Sequence, residues 1–161
     1  MACSWGTAGG CSRPVSSPVA RIAIPKIMGR TLGCLGDLTH DQGDPTLAAK
    51  HFREGLTVLQ EAGDLVGIVE ILAAVAAVAN DGGQPERATR LLGAAMTQCE
   101  VHGLEELRLQ VTVDRVEVIA RGSSGETACR VAWKAGRALT LEEAVAEALA
   151  LADELVVAPD A

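Results

Sequence analysis

Aromatic side chains are scarce in this sequence. The 161 residues include no tyrosine, and the aromatic residues are Trp5, Phe52 and Trp133. The net charge is −7, and all 21 acidic residues lie after residue 30. Nucleic acids bind to positively charged surfaces, often with aromatic rings that stack on the bases. The composition therefore argues against direct contact with DNA or RNA.

Long apolar segments and paired cysteines are also missing. No run approaches the roughly 18 apolar residues that span a bilayer, and the N-terminus lacks the apolar core of a secretory signal. Five cysteines, at positions 3, 11, 34, 99 and 129, form no C-x-x-C pair. An odd number of scattered cysteines is typical of reduced thiols. We therefore expect a cytoplasmic protein without membrane contact.

No pattern of residues that would support a reaction is present. The sequence has no G-x-x-x-x-G-K-[ST] segment, so the usual phosphate-binding loop is absent. The spacings of His40, His51 and His102 match no zinc pattern. No cysteine or serine lies near a histidine in a way that would indicate a nucleophile. We predict that the protein is not an enzyme and binds neither a metal nor a cofactor.

A repeated segment is the strongest positive feature. The stretch HDQGDPTLAAKHF from His40 and the stretch NDGGQPERATRLL from Asn80 align with an offset of 40 residues. Gly43 aligns with Gly83, and a glycine can end a helix in the left-handed conformation. A proline follows each glycine after one residue and suits the first position of the next helix. The repeat therefore predicts two helix–turn–helix copies, over about 29–61 and 66–101.

Helical periodicity extends over most of the chain. Leu32, Leu35, Leu38 and Thr39 form the predicted buried stripe of the first helix. Valine residues at 111 and 113 admit a short strand, but a stripe that continues to residue 119 favours a helix. The sequence thus predicts an all-α fold behind a flexible leader, residues 1–28, with C-terminal helices that close the core. The other helices are expected at about 46–61, 66–80, 86–101, 104–121, 126–136 and 141–155, the last with a capping box formed by Thr140 and Glu143.

Two stretches resemble known families. The pattern Leu32-x-x-Leu35-Gly36-x-x-Thr39 followed by Ala48-x-x-x-Phe52 resembles the tetratricopeptide (TPR) repeat. The tail AWKAGRALTLEEAV is similar to the C-terminal region of bacterial LuxR-type and related signal-transduction ATPase regulators. These resemblances imply antiparallel hairpins stacked into a short right-handed solenoid. The ATPase and DNA-binding functions of such regulators are not implied, because neither a phosphate-binding loop nor a recognition helix is evident.

The resemblance also implies a binding surface. In TPR-like stacks the first helix of each hairpin lines a concave groove, and an acidic groove favours a basic or amphipathic peptide. Asp41 and Asp81 also have a structural alternative, in which they brace the turns. The residues expected to face the groove are Asp37, His40, Asp41, Glu70, Ala77, Asn80 and Asp81.

The resulting functional prediction is a non-catalytic scaffold for protein interaction, in the regulatory part of a bacterial transcriptional regulator. The alternative is a small-molecule sensor with its ligand between the helices, near Trp133 and the apolar helix at 66–80. Exposed apolar helix faces would also favour a homodimer.

Overall fold

The computed structural model describes residues 18–104 and 124–157, together with residues 113, 114, 116, 118, 121 and 122 between them. The described residues form α-helices joined by short turns, with no β-strand among them, which agrees with the predicted all-α class. The helices are α1 (Pro18–Asp41), α2 (Pro45–Ala62), α3 (Leu65–Asp81), α4 (Pro85–His102), α5 (Glu126–Arg137) and α6 (Leu141–Val157).

The two copies of the repeat end their first helices in the same way. Gly43 and Gly83 have φ values of 84° and 79°. Their amides donate to the carbonyl oxygens three residues earlier, at 2.9 and 3.1 Å. The amides of the next residues donate to the carbonyl oxygens five residues earlier, at 3.0 and 2.8 Å. A second pair of bends, at Gly63 and Gly103, is also 40 residues apart and has φ values of 61° and 62°. Both turns of the hairpin therefore repeat.

Helix caps form where the sequence predicts them. Asp44 precedes α2, and its Oδ1 atom accepts a hydrogen bond from the Leu47 amide at 2.8 Å. Before α6, the Thr140 amide donates to Glu143 Oε2 at 2.8 Å, and the Glu143 amide donates to Thr140 Oγ1 at 3.2 Å. These bonds satisfy amides that the first turn of each helix leaves without partners.

Helix α3 is the centre of the fold. It contacts α1, α2, α4 and α6, and eleven of its 17 residues are buried. Helix α6 runs antiparallel to α2, because its C-terminal end lies beside the start of α2, where Thr46 Oγ1 is 3.4 Å from the Leu155 carbonyl oxygen. It therefore covers the side of α3 between α2 and α4. The largest fully buried side chains are Phe52, Leu56, Leu59, Leu72, Leu91, Leu92 and Leu151.

Helix α1 packs through glycines, which corrects the predicted leucine stripe. Of the predicted stripe, Thr39 is buried and Leu32 partly buried, but Leu35 and Leu38 are 41% and 53% exposed. The other buried residues of α1 are Gly29, Gly33 and Gly36. A β-carbon at Gly29 would lie 2.5 Å from Leu59 Cγ, so α1 and α2 approach more closely than larger residues would allow. Hydrophobic periodicity does not identify this face, because glycine contributes no apolar side chain to the pattern.

The start of α1 also corrects the predicted leader. Residues 18–28 are helical and continuous with the rest of α1. Once packing forms the later turns, adding residues to a helix is favourable, and Pro25 removes a single hydrogen bond from this stretch. Residues 1–17 of the predicted leader lie outside the described residues. Most of the predicted helix at about 104–121 does also, but Val113 and Val116 are helical and buried.

Candidate binding surface

The matching turns bring the C-terminal ends of α1 and α3 together. Both helices end in the same bend, and their last turns are in contact, since His40 Nε2 is 3.2 Å from Asp81 Oδ2. The His40 side chain is largely buried, whereas Asp81 is exposed. The contact joins one predicted groove residue from each copy of the repeat.

Carboxylates cluster around this contact. The pKa of Asp37 is raised above its usual value, chiefly because neighbouring protein atoms displace solvent from the carboxylate. The negative charges of Asp41 and Glu70 raise this pKa further, while His40 lowers it. Asp41, from α1, and Glu70, from α3, therefore both lie close enough to Asp37 to disfavour its charge. Such a site favours a positively charged partner. We call this surface the acidic patch; it comprises Asp37, His40, Asp41, Glu70 and Asp81.

The other two predicted groove residues have different surroundings. Ala77 is partly buried. Asn80, which was expected to face the groove, is buried with 4% exposure, because it lies on the packed side of the last turn of α3, whereas Asp81 is exposed. Its Nδ2 atom lies 3.4 Å from Asp81 Oδ1, and its own Oδ1 has no hydrogen-bond partner among the described residues. Asn80 therefore offers no exposed surface to a partner.

An ion pair that the sequence does not predict fixes the other end of the contact between α1 and α3. Arg30 Nε and Nη2 donate to the two carboxylate oxygens of Asp64, at 2.6 and 2.8 Å. Asp64 occupies the N-cap position of α3 and is 4% exposed, and the hydrogen bonds from Arg30 hold its pKa below the usual range. An aspartate before an apolar helix signals a cap, but nothing in the sequence identifies a partner 34 residues away.

Three further observations concern the part of the chain that the structure describes. This part contains no group of three or more histidine, cysteine or acidic side chains that could hold a metal ion. Cys34 is exposed, whereas Cys99 and Cys129 are buried. None of the described helices combines the length and the apolar character needed to cross a bilayer.

Two clefts lie away from the acidic patch. The larger, of about 670 Å³, lies between α4 and α5 and is lined by residues that include Arg87, Arg90, Thr127 and Val131. The smaller, of about 330 Å³, lies where the C-terminal ends of α2 and α4 meet the first turns of α3 and α6. Trp133 lines neither of these two clefts and packs against the hydrophobic core. Of the two elements that the sequence suggested for a ligand cavity, α3 therefore lines the smaller cleft, through Leu65 and Ile68, and Trp133 lines neither.

Comparisons of the chain with protein families, with curated proteins and with solved structures find no match. The function must therefore be inferred from the geometry and the charges of the described residues. The feature that they single out is the acidic patch, because it combines side chains from both copies of the repeat.

Proposed function

We propose that this protein is a non-catalytic helical-repeat scaffold, TPR-like in its stacking, that binds a basic or amphipathic peptide at the acidic patch. The observation that carries the proposal is the meeting of acidic side chains from two repeats at one surface. There the pKa of Asp37 is raised, first by removal of solvent and then by the charges of Asp41 and Glu70. A repeat that places equivalent helix ends side by side is a common basis for an extended peptide-binding surface.

The electrostatics of the patch favour a cationic partner. Removing solvent from neighbouring carboxylates costs free energy, and a lysine or arginine side chain would offset the repulsion among them. The arginine near this face, Arg30, is already paired with Asp64 and lies about ten residues from the end of α1. It therefore does not neutralise Asp37 and Asp41 within their own turns. A peptide would supply positive charge beside Asp37 and Asp41.

The biological setting of the proposal rests on the resemblance of the tail to LuxR-type and related regulators. We propose that the chain acts in the regulatory part of a bacterial transcriptional regulator in the cytoplasm. Its partner would be a peptide segment of another protein or domain, and DNA contact would belong elsewhere. The acidic composition supports this division, because a surface of net charge −7 repels phosphates.

Peptide titration tests the proposal directly. Fluorescence anisotropy with a labelled amphipathic Lys/Leu peptide should show saturable binding, and a Glu/Leu peptide of the same pattern should not bind. The double change Asp37→Asn with Glu70→Gln should weaken binding about fivefold, from two lost charge interactions of about 0.5 kcal/mol each. Glu61→Gln is a matched control, because Glu61 is exposed on α2 outside the patch. Equal losses in the control and in the double variant would contradict the proposal.

The pH dependence provides a second readout. Because the pKa of Asp37 is raised, its negative charge disappears at a higher pH than that of an ordinary carboxylate. Affinity for the Lys/Leu peptide should therefore fall as the pH decreases from 7 towards 4. In the Asp37→Asn variant this decrease should be smaller. An affinity that is constant over this range would contradict a role for Asp37.

The larger cleft supports a second candidate function, that of a small-molecule sensor. Its volume of about 670 Å³ falls in the range of ligand pockets, about 300–1,000 Å³. Arg90 and Thr127 provide polar groups on opposite walls. A thermal-shift screen with anionic metabolites distinguishes the two functions. A ligand that raises Tm in the wild type but not in Arg90→Gln would favour the sensor, whereas stabilisation by the basic peptide alone would favour the scaffold.

A further inference from the structure

Helix α6 lies in a groove between α2 and α4, with α3 as its floor. Three leucines of α6 pack against the core but keep part of their surface exposed. The residues of α6 that are fully buried are small except for one leucine; they are Ala144, Val145, Ala148, Leu151 and Ala152. The part of α6 that enters the core is therefore a narrow strip of mainly small side chains.

Arginines on both edges of this groove pair with carboxylates of α6. Glu154 accepts hydrogen bonds from both Nη atoms of Arg87, which belongs to α4, at 2.6 and 3.2 Å. The other two pairs are Arg53 of α2 with Asp153, at 3.1 Å, and Arg90 of α4 with Glu147, at 3.2 Å. Every acidic residue of α6 after its first turn therefore faces an arginine of the groove.

The charges of α6 suit the groove better than they suit a free helix. Asp153 and Glu154 lie near the C-terminal end of α6, where negative charges oppose the helix dipole. The helix contains no lysine or arginine that would balance its acidic side chains. An isolated helix of 17 residues is also only marginally stable in water. Helix α6 therefore depends on the groove, and on its arginines, for its helical structure.

We propose that the groove between α2 and α4 binds acidic amphipathic helices, and that a partner helix of this chemistry displaces α6 from it. The partner presents small or apolar residues at the spacing of Ala144, Ala148 and Leu151, which is a usual spacing of anchors in a helix-binding groove. Its carboxylates pair with Arg53 and Arg87. Leucine in place of the two alanines would overfill the floor, so a Glu/Leu peptide is not a ligand of this groove.

A labelled peptide with the sequence of residues 140–157 is the probe for displacement. Fluorescence anisotropy should show weak binding to the wild-type chain, because α6 occupies the groove. We call the chain with Glu147→Gln, Asp153→Asn and Glu154→Gln the neutralised variant; it keeps the arginines of the groove. This variant should bind the peptide about eightfold more tightly, since each exposed ion pair contributes about a factor of two and its loss makes more of the groove accessible. Unchanged or weaker binding would overturn the proposal.

Two further variants test the role of the arginines. When Arg53→Gln and Arg87→Gln are added to the neutralised variant, the peptide should bind about fourfold less tightly, because two ion pairs with the peptide are lost. Arg137→Gln in the wild-type chain is the matched control, since Arg137 forms a similar exposed ion pair with Glu100, between α4 and α5, at 2.7 Å. This control should leave peptide binding unchanged. Equal effects of the control and of the groove changes would contradict the proposal.

Hydrogen exchange followed by mass spectrometry shows where the peptide binds in the wild-type chain. A saturating concentration of the peptide should make the amides of α6 exchange severalfold faster, because displaced α6 loses its helical structure, while the amides of α3 stay protected. Bound peptide with unchanged exchange in α6 would place the peptide at another site and refute displacement. Faster exchange in α3 and α6 together would show that the core unfolds, which also contradicts the proposal. The acidic patch, which takes a basic peptide, is not involved in either outcome.

Discussion

Replacing Gly36 with alanine should destabilise the protein, although the same change normally strengthens a helix by about 1 kcal/mol. A β-carbon at this position would overlap the ring of Phe52, with Cδ1 at 2.6 Å and Cζ at 2.7 Å. The ring is 1% exposed and packed among core side chains, so it cannot move into solvent. Overpacking of a well-packed core costs about 1–3 kcal/mol. Because three ring atoms are affected, we expect the upper part of this range and a net loss of about 1–2 kcal/mol.

Two further variants test whether the loss of stability is specific to the packing of Gly36. Leu38→Ala should cost no more than about 1 kcal/mol, because the side chain is 53% exposed and a buried leucine loses about 2–5 kcal/mol. Gly122→Ala should be neutral or slightly stabilising, since a β-carbon there would meet no described atom within 4 Å. Urea unfolding followed by circular dichroism, at a concentration where light scattering shows a monomer, gives the three free energies. If Leu38→Ala costs more than Gly36→Ala, α1 buries its leucines and the glycine interface is wrong.

Two other predictions concern the turns and the buried ion pair. Gly43→Ala and Gly83→Ala should each lower the free energy of unfolding by about 1–2 kcal/mol, because both positions have a left-handed backbone. Thermal unfolding measures both variants, and clearly different losses of Tm would show that the two turns are not equivalent. Hydrogen bonds from Arg30 lower the pKa of Asp64 in the folded state. The contribution of this ion pair to stability is therefore present above the unfolded pKa of about 4, and it is lost as the pH falls through the folded pKa. We expect the ion pair to stabilise the folded state by about 1 kcal/mol, which is low for hydrogen bonds between charged groups, because Arg30 is half exposed. Urea unfolding at pH 7 and pH 2 measures this contribution. Asp64→Asn should lower the stability at pH 7 and make the stability less dependent on pH. An unchanged pH profile would contradict the stabilising role of the ion pair between Arg30 and Asp64.

The sequence predicts the turns and helices of this fold well, because their signals are local. A glycine that ends a helix, followed shortly by a proline that starts the next, determines backbone conformation within a few residues. The bends at Gly43 and Gly83 are predicted for this reason, and most helix limits agree within two residues. The packing of α1 could not be predicted in this way, since it depends on which face the neighbouring helices leave free. Periodicity selects the leucines, whereas close approach to Phe52 and Leu59 selects the glycines.

The candidate site shows the same division between local and long-range signals. The 40-residue offset aligns Asp41 with Asp81, and this alignment is enough to suggest that equivalent helix ends form one surface. It does not reveal that His40 contacts Asp81 or that Asn80 is buried, because both depend on how one copy of the repeat rotates against the other. The ion pair between α1 and the start of α3 depends on the same rotation. Contacts between repeats therefore require the tertiary structure.

The exposed leucines of α1 follow from its position at the end of the stack. Helix α3 contacts α1, α2, α4 and α6, so most of its residues are buried. Among the described helices, α1 contacts α2 and α3 and turns its glycines toward them. Terminal units of helical repeats usually need a polar outer face to remain soluble. Leu35 and Leu38 depart from this rule with 41% and 53% exposure, so the periodicity that predicts a helix here does not show which face of the helix is buried.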